Sequence, residues 1–146
     1  MSIFGNDLVN VQLFYMIKKN KYGLEIFRIL EDEDAKKIME DPNKAKDVKT
    51  INTKWKTLAW HESNYIASRS YARLNQMSDE RVFDFNSFRD LKIKMCLKEW
   101  DLKDPAGNPV PLIPEMIDKL VPEIILALYN KYEEVTGYAE EEVKKS

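Results

Sequence analysis

The ten residues Leu8–Ile17, LVNVQLFYMI, carry the choice of fold. Val9, Val11, Leu13, Tyr15 and Ile17 alternate with the residues between them, as one face of a strand would. Val9, Leu13, Met16 and Ile17 also fall on one helical face, so both templates fit. The next apolar run, Leu24 to Leu30, is short and rich in Ile and Phe. Between the runs, KKNKYG supplies Asn20 and Gly23 as turn residues. A β-hairpin is the favoured reading of the pair.

Outward from there, the pattern turns helical. EDEDAKKIMED reads as a short helix with its acids at the N-terminal end, where the dipole favours them. Asp41-Pro42-Asn43 ends it. Residues 43–57 are polar and basic and read as a long loop. Thr57 is placed to cap a helix over 58–75, with Trp60, Ala67, Tyr71 and Leu74 as its core stripe. Asp84 or Asn86 is placed to cap another over 87–100. That helix has two apolar stripes: Phe88, Leu91 and Met95 on one side, and Ile93, Cys96, Leu97 and Trp100 on the other. A helix with two such faces is central to its fold or shared with a partner.

A proline-rich connector follows. Asp104-Pro105-Ala106-Gly107 suits a tight turn, and Pro109 and Pro111 hold their neighbours extended. Pro114-Glu115 and Pro122-Glu123 each open a helix, with proline in the first turn and the acid near the positive dipole end. The last helix presents Val121, Ile124, Ile125, Leu128, Tyr129, Tyr132 and Val135 on one broad face. Leu126 points elsewhere. Gly137 is the stop signal.

These elements predict a mainly α, compact helical domain over 1–146, opened by the hairpin. Residues 1–42 hold the hairpin or helix and a short helix. Residues 43–57 form the basic loop, 58–138 the helical core and 139–146 a charged tail.

The chain of 146 residues is 44% hydrophobic and 33% charged, long enough to bury a core. No run approaches the roughly 20 apolar residues of a membrane span. The N-terminus lacks the basic region and cleavage site of a signal peptide. Its single cysteine, Cys96, excludes an internal disulfide and points to a reducing, cytoplasmic setting. The charge of −2 is uneven: residues 1–100 carry 18 Lys/Arg against 15 Asp/Glu, and residues 101–146 carry 5 against 10. Residues 44–73 hold seven cations against Asp47 and Glu62, a local excess that could meet nucleic acid. No nucleic-acid motif accompanies it, which disfavours that use. Stacking of bases on Trp55, Trp60 or Tyr65 is weaker than core packing as an account of those rings.

Catalytic signals are sparse. His61 is the lone histidine, and HESNY is not the two-histidine zinc pattern. Cys96 sits among apolar neighbours, as a buried, inert thiol does. Gly5, Gly23, Gly107 and Gly137 are too scattered for a phosphate loop. The acids at 31–34 lack calcium-loop spacing. The expectation is a protein that is not an enzyme and uses no cofactor or metal.

Three stretches carry a family resemblance: INTKWKTLAWHESNYIASRS, FDFNSFRDLKIKMCLKEWDLKDPAGNPVP and IPEMIDKLVPEIILALYNKYEEVTG. The basic approach to Trp60 and Glu62, the helix ending in Trp100 before a glycine-containing turn, and the paired C-terminal helices resemble tail assembly chaperones of tailed bacteriophages. They cover about residues 51–146. The resemblance implies a non-enzymatic, mainly helical protein in the host cell cytoplasm. Such a protein binds the tape-measure protein and keeps it soluble until the tail tube forms. A structural adaptor kept in the virion and a nucleic-acid binder using 44–73 are the alternatives.

The residues themselves, rather than the resemblance, suggest a partner surface. The two-striped helix offers Ile93, Leu97 and Trp100, and the last helix offers Leu126, Tyr129 and Tyr132. The occupant would be a protein client or a second copy of the chain.

Overall fold

The computed structural model describes residues 2–137 and shows a mixed fold. With 38% helix and 28% strand, it overturns the mainly α expectation. The alternating template wins at the N-terminus. Strand β1 (Leu8–Lys19) pairs antiparallel with β2 (Glu25–Leu30). The turn between them is held by the Asn20 side chain, which accepts from the amides of Tyr22 and Leu24.

After β2 come helix α1 (Asp32–Met39), the single turn α2 (Pro42–Ala45) and strand β3 (Lys49–Lys56). The supposed basic loop at 43–57 is therefore mostly α2 and β3. Ile51, Thr53 and Trp55 point inward, while Thr50, Asn52 and Lys54 point to solvent. A strand with a solvated, lysine-rich face has a loop's composition and only three inward residues to betray it.

Helix α3 (Trp60–Ser68) is shorter than the 58–75 helix expected. Its last turn closes on Ser70, whose hydroxyl donates to the Ile66 carbonyl. The chain then enters a small hairpin, β4 (Tyr71–Arg73) with β5 (Arg81–Phe83). Thr57 does not cap α3. Its hydroxyl accepts from the Asp7 amide, and Ala59 stands at the N-cap with Glu62 reaching back to its N–H. Asp84 caps helix α4 (Phe85–Cys96), accepting from the amides of Asn86 and Ser87.

The two-striped helix dissolves at Cys96. Leu97 is already extended, and Leu97–Trp100 is strand β6, pairing with β3. Two members of the second stripe are thus strand residues. Neither glycine nor proline marks the break. The pairing of Leu97 with Trp55 and the burial of Leu97 outweigh its helical propensity. Helices α5 (Pro114–Asp118) and α6 (Pro122–Val135) open on their prolines.

The sheet runs β2-β1-β3-β6, all antiparallel. One face carries the core: Val11 and Leu13 of β1, Ile51 and Trp55 of β3, and Leu97 of β6. Ile93 and Cys96 of α4, Ile117 of α5, and Ile124, Leu128 and Tyr132 of α6 pack onto it. Lys94 ties α4 to α5 through Asp118 at 2.8 Å. The reverse face divides in two. At its hairpin end, Phe14 and Leu30 stand opposite each other and bury Ala35 of α1. At its other end lies a polar row in which Gln12 donates to Asn52 and Asn52 donates to Asp101.

Trp55 is fully buried and stacks on Tyr132, ring centroids 4.7 Å apart. Its indole N–H donates to the Thr53 hydroxyl, which donates to the Val11 carbonyl. Removing a ring of this kind typically costs about 3–5 kcal/mol. Trp55→Ala is expected to lower stability by that amount in urea denaturation, and more than Trp100→Ala, since Trp100 is only half-buried. Equal losses for the two variants would contradict this picture of the core.

Candidate protein-binding surfaces

Two clefts flank α6, and each draws on residues that the sequence left without a clear place. The first lies at the end of β3. Backbone bonds between Asn6 and Thr57 and between Thr57 and Asp7 carry the β1–β3 ladder past the strand ends. Gly5 follows this path against Ala59, where a Cβ would come within 2.4 Å of the Ala59 backbone nitrogen. Only glycine allows that approach. Ser2 folds the terminus over: its amide donates to the Asp7 carboxylate, and its hydroxyl accepts from the Phe4 amide.

Ile3 and Phe4 are held in this way beside Trp60, around a cleft of about 550 Å³. Leu58, Phe88 of α4 and Tyr132 of α6 complete its apolar lining. Ile3 is 96% exposed, Phe4 77% and Trp60 81%. Lys92 lines the cleft too. It pairs with Glu133 at 2.6 Å and sits within 6 Å of the Phe88, Tyr129 and Tyr132 ring centres.

The second cleft, about 860 Å³, lies between α6, β2 and the start of α1. Leu13, Ile29, Leu30, Leu126 and Val135 supply its apolar wall. Glu31, Asp32, Glu33, Glu123 and Glu134 rim it, and among the described residues that line it Lys131 is the one cation, paired with Asp32.

The six residues suggested as a partner surface do not share one face. Ile93, Leu97 and Tyr132 are interior, and the Tyr132 hydroxyl donates to the Lys56 carbonyl at 2.8 Å. Trp100 is half-buried, with its indole N–H on the Val110 carbonyl at 2.7 Å, which pins the connector back onto β6. Tyr129 is half-buried beside Lys92. Leu126, also half-buried, lines the acidic cleft. Ile3, Phe4 and Trp60 were missed as a surface because Trp60 reads as part of a helical core stripe. Residues 139–146 lie outside the described residues.

His61 is exposed on the first turn of α3. Burial pushes the Cys96 thiol up. Lys56, hydrogen-bonded to Glu62, holds that carboxyl below the usual range. Lys54 pairs with Glu99 at 3.5 Å. The basic stretch 44–73 thus has two of its lysines engaged within the fold. Among the described residues no helix is long and apolar enough to cross a membrane. No protein-family model, curated protein or solved structure matches the chain.

Tyr132 gives this region a pH signature. Burial raises its phenol well above the ordinary value of 10. The unfolded chain therefore releases this proton first as pH rises. Its contribution to stability is complete below pH 10 and falls above it, by at most about 1.4 kcal/mol per pH unit. Urea midpoints between pH 8 and pH 11 should fall for the wild type and fall less steeply for Tyr132→Phe. Parallel slopes would show that the phenol is not protected by the fold.

Proposed function

We propose that this chain is a non-enzymatic protein that binds a protein client, in the manner of a phage tail assembly chaperone acting in the host cytoplasm. The observation that supports the reading most is the set of large apolar side chains, Ile3, Phe4 and Trp60, exposed around one preformed cleft. Contiguous exposed apolar surface of this kind is a mark of protein contact sites. An apolar client segment would cover the three side chains and fill the cleft. Tryptophan is among the residues that dominate such contacts.

The tail-assembly part of the proposal is supported by the sequence pattern over 51–146 alone. The mixed fold departs from the helical one the resemblance implies, so fold lends it no weight. Retention in the virion as an adaptor would use the same surface, and mature particles separate the two roles, since a chaperone should be absent from them. The nucleic-acid alternative is weakened because Glu62 and Glu99 engage Lys56 and Lys54.

Trp60→Ser is expected to change folding stability by no more than about 0.5 kcal/mol, as surface changes do. It should weaken capture of a tape-measure protein client by about 30-fold, the effect of losing a central aromatic contact. Titration with the purified client, followed by tryptophan emission, measures both binding and the covering of Trp60. Wild-type affinity in the variant would overturn the proposed surface. Binding that collapses as salt rises would point to phosphate contacts instead.

A further inference from the structure

We infer that β2 is a self-association edge, at which two copies of the chain join antiparallel and continue the sheet across a two-fold axis. Among the described residues β2 pairs with β1 alone, so its outer edge presents unmatched backbone groups. Edges in water are usually blunted by proline, bulges or several charges. β2 has no proline, its ladder with β1 is unbroken, and its only charges are Glu25 and Arg28. Its apolar residues are open on both faces of the sheet: Phe27 and Ile29 on the helix-bearing face, Ile26 on the reverse. Ile26 is 47% exposed and Phe27 36%.

Charge selects the occupant and its direction. The end of β1 and the turn preceding β2 are basic, with Lys18, Lys19 and Lys21. The segment following it is acidic, with Glu31, Asp32, Glu33 and Asp34. The strand therefore has a positive end and a negative end. A parallel partner copy would set like charges together at both ends. An antiparallel copy sets each basic turn beside the other's acidic helix start. The chain cannot satisfy this pairing within itself, because about six residues of rigid ladder, roughly 20 Å, hold its own turn away from its own α1.

Register follows from the pleat. Directly opposed residues in an antiparallel pair share a face, so the two-fold axis must pass midway between a residue and its own copy. With the axis beside Phe27, that ring meets its own copy, Ile26 faces Arg28 of the second copy, Glu25 faces Ile29, and the basic turn at Lys21 lies toward the acidic start of the second copy's α1. Through Arg28, two guanidiniums would meet and Glu25 would face Glu31. An axis through Ile26 shortens the overlap. Phe27 is the axis residue that the charges favour.

Sedimentation equilibrium over a wide concentration range tests this inference. A reversible dimer is expected. Lys21→Glu and Glu33→Lys, both on exposed positions, should each raise its dissociation constant about tenfold, and the double variant should return it to within about threefold of the wild type. In a Cys96→Ser background, Phe27→Cys should form a disulfide-linked dimer on mild oxidation, because directly opposed Cα atoms lie about 4.5–5.5 Å apart, within the span of a disulfide. A chain that stays monomeric throughout, or a dimer indifferent to both charge reversals, overturns the inference. It does not depend on the client surface: Trp60→Ser should dimerise like the wild type.

Discussion

The Trp55 indole must be buried, and that need organises most of the molecule. A sheet of four strands cannot cover so large a ring from one side. Tyr132 of α6 stacks on it, Thr53 takes its N–H, and Leu97 opposes it across the ladder. Tyr132 and Leu97 bring in α6 and β6, while Thr53 belongs to the tryptophan's own strand. The Tyr132 hydroxyl returns to the Lys56 carbonyl, so the strand that supplies the tryptophan also anchors the helix that covers it. The Thr53 hydroxyl passes its own hydrogen to the Val11 carbonyl, which satisfies a polar group that burial would otherwise leave costly. No buried side-chain nitrogen or oxygen among the described residues lacks a hydrogen-bond partner, so the core accommodates its polar atoms without strain on the packing.

The Pro-punctuated connector takes its place from the same constraint. After β6, Trp100 fixes the returning chain through Val110, and the tight turn at Asp104–Gly107 reverses it. Gly107 adopts a positive φ of 87°, which suits a residue without a Cβ. Helix α5 then reaches the core through Ile117, and α6 crosses the sheet from there. The connector's prolines set where each helix starts, and the core decides where each helix lies.

Much of this was legible in residue order. The hairpin, the acidic α1, a cap at Asp84 or Asn86, of which the structure uses Asp84, the glycine turn and both proline-led helices follow from local chemistry. The failures share a cause. β3 was hidden because half of it faces water and carries lysines, so composition argued for a loop. β6 was hidden because its residues continue a helical period that tertiary pairing interrupts. Tyr71 and Leu74 fit a helical stripe yet leave α3 after Ser68. Period and propensity are local, while strand pairing between β3 and β6 joins residues more than 40 positions apart. The candidate surfaces were less legible. Leu126 was read as off the core face, and it does line a cleft, but Ile93, Leu97 and Tyr132 serve the interior. The exposed terminus and Trp60 became visible only once Gly5 brought the chain end against α3.

If the stack of Trp55 on Tyr132 couples sheet and helix, the two cannot open separately. Native-state hydrogen exchange measures this directly. The amides of β1 and β3 beside the buried residues and those in the middle of α6 should exchange with one common free energy, equal to that of global unfolding, and with one common dependence on denaturant. An α6 that exchanges at a clearly lower free energy than β3 would show that the helix detaches while the sheet persists, and would contradict the account.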